Sequence, residues 1–140
     1  MTTTRAAIEC DEFLPFPAET VWHAITTPDL VERWWAAGDI RPVVGHAFTL
    51  DMGPWGRQQC TVLVADAPRL LRYTFSEGGL DSTLTFRLEP EGAGTRLFFT
   101  HDGLDLDDPR GRQAYEGMGR GWPGVIHRIG GVIAEANSAG

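Results

Sequence analysis

The chain has 140 residues, with 12 basic and 19 acidic side chains and a formal net charge of −7. Every basic residue is arginine; the absence of lysine excludes a Schiff-base nucleophile, a pyridoxal-phosphate anchor and a P-loop lysine. Acidic balance with dispersed arginines also lacks the basic face that nucleic-acid binders present, so no nucleic-acid partner is expected.

This length favours a single domain over residues 1–140, with a core spanning about 8–136. An apolar share of 42% and an aromatic share of 10% suit a chain that folds around a core. No apolar run approaches the roughly 18 residues of a membrane span, and the first residues lack a signal-peptide core. A cytoplasmic protein without membrane attachment is therefore expected, with Cys10 and Cys60 reduced and buried.

Arg5–Leu14 reads as a first strand, stopped by Pro15-Phe16-Pro17. Ala18–Thr26 spaces Val21, Trp22 and Ile25 on one helical face, with Pro17 placed for the first turn. Thr27 as N-cap and Pro28 at the first helical position start a second short helix, closed after Arg33-Trp34-Trp35 by Ala36-Ala37-Gly38. The period then changes to two. Phe48, Leu50 and Met52 share one face; Gly53-Pro54-Trp55-Gly56 turns the chain. Strands follow over Gln58–Ala65, Leu70–Ser76, Asp81–Glu89 and Thr95–His101, joined by tight turns as an antiparallel meander. Their inward residues are Leu71, Tyr73 and Phe75, then Leu84, Phe86 and Leu88, then Leu97, Phe99 and His101.

Asp108 as N-cap and Pro109 open a long C-terminal helix, with Tyr115, Met118, Gly119, Trp122, Ile126, Ile129 and Ile133 at helical spacing. Glycine recurs within it at positions 117, 119, 121, 124, 130 and 131, and Pro123 predicts a kink near its middle. The order is strand, two short helices, an antiparallel run and one long helix, which makes an α+β domain.

The segment Phe16-Pro17-Ala18-Glu19-Thr20-Val21-Trp22, the pair Thr27-Pro28-Asp29-Leu30 and Arg33-Trp34-Trp35, the stretch Gly94-Thr95-Arg96-Leu97 through His101, and Gly121-Trp122 together resemble the START-like (SRPBCC) superfamily. Within it, they are similar to the group of Hsp90 ATPase activator homologues. The resemblance implies a helix-grip fold: a curved antiparallel sheet around the C-terminal helix, two short helices after the first strand, and an apolar cavity between sheet and helix. Relatives use that cavity for lipids, hormones or polyketides; some are cyclases or aromatases, and some are co-chaperone domains. Pro123 directly after Trp122 and the density of glycine depart from the family's pattern.

Fold alone does not decide between these activities. Small-ligand sites are largely apolar with a few polar groups. The candidate lining is Trp35, Phe48, Met52, Trp55, Tyr73, Phe75, Phe86, Phe99, His101, Tyr115, Met118 and Trp122, the same residues that would otherwise fill a core. Gly117, Gly119 and Gly121 either permit close packing of the helix or leave room for a ligand. If the protein were a cyclase, aromatase or dehydratase, His101, Tyr73 or Tyr115 would move protons; a structural histidine hydrogen-bonded to the loop after it is the plainer reading of His101. His46 is a second histidine that alternation turns inward; His23 and His127 fall on helix surfaces. The acids Asp102, Asp105, Asp107 and Asp108 lack EF-hand spacing and read as a solvated loop with a helix cap. No zinc motif, GxSxG elbow or nucleotide motif occurs, so neither metal nor cofactor is expected. The expected function is binding of a small hydrophobic molecule by a monomer or homodimer, with a chaperone partner implied by the resemblance alone.

Overall fold

The computed structural model, which describes residues 4–139, holds seven strands, the longer of them built on period-two alternation. The elements in chain order are β1 (Arg5–Leu14), α1 (Ala18–Thr26), α2 (Pro28–Trp34), β2 (Ala37–Gly38), β3 (Ala47–Asp51), β4 (Arg57–Asp66), β5 (Leu70–Phe75), β6 (Ser82–Glu91), β7 (Gly94–Asp105) and α3 (Pro109–Ala139). They form one sheet in the order β1-β7-β6-β5-β4-β3-β2, in which every pairing is antiparallel. The strand β2 was not expected: two residues carry no period, and Ala37 and Gly38 become a strand only by pairing with Asp51 and Leu50.

Each strand buries the face that its alternation assigns. Leu71, Tyr73 and Phe75 on β5 are buried, as are Leu84, Phe86 and Leu88 on β6 and Leu97, Phe99 and His101 on β7. Beyond His101 the alternation slips by one. Gly103 adopts φ +82°, which glycine tolerates best, and β7 resumes with Leu104 inward instead of Gly103. The slip shows in the pairing with β1, where Ala6 meets Leu104 but Ile8 meets His101.

Helix α3 spans Pro109–Ala139 without interruption, with Pro123 inside it. Asp108 caps it as expected: its Oδ1 accepts the N–H of Arg110 at 2.9 Å. Thr27 does not cap α2; its hydroxyl meets His23 Nδ1 at 3.1 Å instead. The buried stripe of α3 is Trp122, Ile126, Ile129, Val132 and Ile133, which closes over α1 and the concave face of the sheet. Each such side chain contributes about 1.5–3 kcal/mol on burial. Upstream of Trp122 the helix is largely exposed. No described helix is long and apolar enough to cross a membrane.

Candidate functional site

The concave side of the sheet places one polar chain among aromatic rings. His101 on β7 is fully buried, 0% exposed. Its Nδ1 accepts the indole N–H of Trp122 on α3 at 3.0 Å. Since Nδ1 is the acceptor, the ring proton of the neutral imidazole sits on Nε2, which donates to Ser82 Oγ at 2.8 Å. Ser82 in turn donates to the Phe75 carbonyl at 3.1 Å, across its own pair position in the β5–β6 ladder. All four groups are satisfied in one direction, from helix to sheet. Burial alone lowers the His101 pKa from 6.5 to about 4, so the ring is neutral at physiological pH.

Rings surround this chain. Trp122 lies 4.3 Å from Phe99 and 5.0 Å from Trp35 between centroids; Phe75 meets His101 edge-on at 5.6 Å. Phe86 bridges Phe99 at 5.1 Å and Tyr73 at 5.8 Å, and Tyr73 continues to Phe48 at 5.2 Å. These separations are those of touching aromatic pairs, so the rings form a continuous wall between sheet and helix.

Of the residues expected to line a cavity, Trp35, Phe48, Tyr73, Phe75, Phe86, Phe99, His101 and Trp122 are brought together here. Met52 and Met118 are half-buried at the margin of the core. Two expectations are corrected. Trp55 is 76% exposed, because a short 3-10 turn over Gly53–Trp55 carries it past the end of β3. Tyr115 is 37% exposed and borders an open groove of about 450 Å³ between β1 and α3, with Ala7, Ile8 and Gly119. Its helical phase is that of Trp122, but it precedes the part of α3 that reaches the core.

The glycines of α3 are corrected too. A Cβ at Gly117 or Gly121 would meet nothing within 4 Å, and one at Gly119 would meet only Ile8 at 3.9 Å. They neither tighten a packed crossing nor open the interior. Gly111 is different: a Cβ there would fall 1.9 Å from the Asp105 carbonyl oxygen, so the helix start requires glycine.

His46 donates its Nε2–H to the Asp39 carbonyl at 2.6 Å and stacks on Phe48, half-buried. His23 and His127 are exposed. The acids after β7 serve the loop: Asp105 accepts the Asp107 N–H, Asp107 accepts the Thr4 N–H, and Asp108 caps α3. Among the described residues no cluster of histidine, cysteine and carboxylate could hold a metal.

Two residues escaped the sequence reading. Ser82 begins β6 in the same alternation as Leu84 and Phe86, which marks it as the polar member of an inward face. Trp34, 1% exposed, donates its indole N–H to the Ala24 carbonyl at 3.0 Å and meets Phe86 edge-on at 6.2 Å. Its place at the end of α2 offered no period long enough to distinguish it from Trp35.

Acid–base chemistry has little to draw on. Both His101 nitrogens are engaged, and burial holds the Tyr73 phenol well above its ordinary pKa. Burial pushes the Cys60 thiol up to about 12, and burial with neighbouring Asp11 and Glu12 raises Cys10. At neutral pH the Tyr73 phenol and the Cys10 and Cys60 thiols therefore keep their protons, and the His101 ring has no nitrogen free for a substrate.

Comparison with known proteins agrees with this architecture. The family described as Activator of Hsp90 ATPase homolog 1-like protein matches residues 15–134. No curated protein matches the chain. Protein MLL2253 from Mesorhizobium loti is 30% identical with a TM-score of 0.82, over 93% of this chain and 98% of that one. Protein BH1534 from Bacillus halodurans is 27% identical with a TM-score of 0.81, over 95% and 99%. The Aha1 dimer from Colwellia psychrerythraea, 18% identical with a TM-score of 0.74 over 91% and 96%, shares the fold. The helix-grip architecture and the match over residues 15–134 agree: this chain belongs to the Activator of Hsp90 ATPase homolog 1-like family.

Proposed function

We propose that this chain is a cytoplasmic binding protein that takes a small apolar molecule between the concave sheet and α3, without catalysing a reaction on it. One observation carries the reading. The polar chain on the aromatic wall, Trp122 to His101 to Ser82 to Phe75, has its groups paired within the protein, so the ring surface around it is what is offered for recognition. A cyclase or aromatase needs a group that gives or takes a proton. His101 is neutral with both nitrogens occupied, Tyr73 is a buried neutral phenol, and Tyr115 lies outside. A chaperone partner follows from the family's description alone.

The test is a titration of 1-decanol and of indole into protein with 13C-labelled aromatic rings. Interior binding shifts Phe86 and Phe99 and leaves Phe13, exposed on the convex face, unmoved. Shifts at Phe13 with none at Phe86 or Phe99 would refute it.

A further inference from the structure

Within the aromatic wall one ring is held differently from the rest. Trp34 and Trp122 are sealed, and each indole N–H is fixed by a hydrogen bond, to Ala24 and to His101. Trp35 is only half-buried, and among the described residues no hydrogen bond engages its indole. What holds it is a slot of three rings: Trp34 stacked at 6.0 Å and 21°, Phe75 at 5.7 Å, and Trp122 at 5.0 Å. The backbone beneath it is fixed. Trp35 N–H donates to the Val31 carbonyl at 2.8 Å, and Ala36 N–H donates to the same oxygen at 3.1 Å. Motion of the side chain therefore needs no change in the sheet or in α2.

The geometry points to Trp35 as an internal plug: its indole occupies the place of the ligand, and the ligand class is a neutral, planar aromatic molecule of one or two fused rings. The inference rests on interior binding as proposed above. A slot with one near-parallel ring, Trp34, and two tilted ones, Phe75 and Trp122, already filled by an indole, selects flat aromatic surface over branched or flexible chains. None of the three slot residues carries a charge, and the imidazole behind Trp122 is neutral, so a charged ligand would lose its hydration without compensation. The outer edge of Trp35 reaches solvent, so rotation about its side-chain bonds exposes the slot directly. Competition has a quantitative consequence. If the slot is open for only a fraction of the time, the apparent affinity falls by that fraction. Removing the plug restores it.

Indole is the probe, with the five tryptophan N–H resonances of 15N-labelled protein as the readout. In the wild type, added indole is expected to move the Trp35 signal to an exposed position, shift Trp122 and leave Trp55 in place. Trp35→Ala is expected to bind indole at least 10-fold more tightly, its fold verified by a retained Trp122 signal. Five results overturn the plug. Wild-type binding that shifts Phe86 and Phe99 but leaves Trp35 unmoved removes the displacement and keeps interior binding. Binding by Trp35→Ala alone, with no wild-type response up to the solubility of indole, marks an engineered hole. Equal affinity in both proteins removes the competition. Interior shifts with 1-decanol but none with indole reject the aromatic class and keep the interior site; shifts with neither reject both readings.

Discussion

The indole N–H of Trp122 donates a hydrogen bond to His101 Nδ1 at 3.0 Å, which joins the middle of α3 to β7 through the centre of the core. This bond is compatible only with a neutral imidazole whose proton is on Nε2. A charged ring would carry protons on both nitrogens and turn a donor toward the donor of Trp122.

Stability should therefore depend on pH in a known direction. The folded pKa of His101 is about 4 against 6.5 unperturbed. Between these values the unfolded chain binds the extra proton, so stability rises with pH in that window. It is fully present above 6.5 and is lost as pH falls toward 4, by on the order of 3 kcal/mol. Denaturant unfolding at a series of pH values measures this. In His101→Asn the slope between pH 4 and 6.5 should fall by about one proton; an unchanged slope would contradict the assignment.

The polar chain should behave as a unit. Ser82→Ala leaves the Nε2–H of His101 without an acceptor, and Trp122→Phe leaves Nδ1 without a donor. Each should cost about 1–3 kcal/mol. In the double variant the imidazole is free to reorient, so the combined loss should be smaller than the sum of the two. Equilibrium unfolding of all four proteins completes the cycle, and strict additivity would show that the groups act independently.

Two glycines of the same helix should respond with opposite sign. Gly111→Ala drives a methyl group into the Asp105 carbonyl and should lower the melting temperature. Gly117→Ala meets open space and should raise stability by about 0.5–1 kcal/mol through helix propensity. Thermal melts of the two variants under one buffer suffice; a shared sign would mean that the start of α3 can shift away from β7.

Tryptophans that look alike in sequence should differ in effect. Trp34→Ala empties a sealed site and removes the hydrogen bond to Ala24, for a loss of about 3–5 kcal/mol. Trp55→Ala, at an exposed turn, should stay within about 0.5 kcal/mol of the wild type. Chemical denaturation distinguishes them directly.

These contrasts show what the sequence makes legible. Alternation along β5, β6 and β7 identifies inward residues because a half-buried strand has a two-residue period that the order of residues displays. It carries His101 to the right face. Its reach ends with the strand: Met52 keeps the rhythm of Phe48 and Leu50 and is half-buried, whereas Trp55, in the turn beyond Asp51, has no rhythm to place it and is exposed. Helical phase behaves likewise. Tyr115 and Trp122 share a stripe, but only tertiary packing decides how far along α3 the core extends. The partner of His101 was equally out of reach, because Ser82 and Trp122 meet it through register and helix placement, not through spacing in the chain. Whether rings or a cavity occupy the interior depends on side-chain geometry that no pattern encodes.

The placement of β1 beside β7 has a temporal consequence. Arg5 pairs with Asp105 and Leu14 with Thr95, so the first strand cannot be paired until the last one exists. At about 5–20 residues per second the ribosome needs several seconds to reach it. Throughout that interval β1 waits with both edges open, and the sheet closes only by a long-range encounter of the kind that makes folding slow. The nascent chain is thus exposed to misassociation late in synthesis, and completion of β7 is the event that ends it.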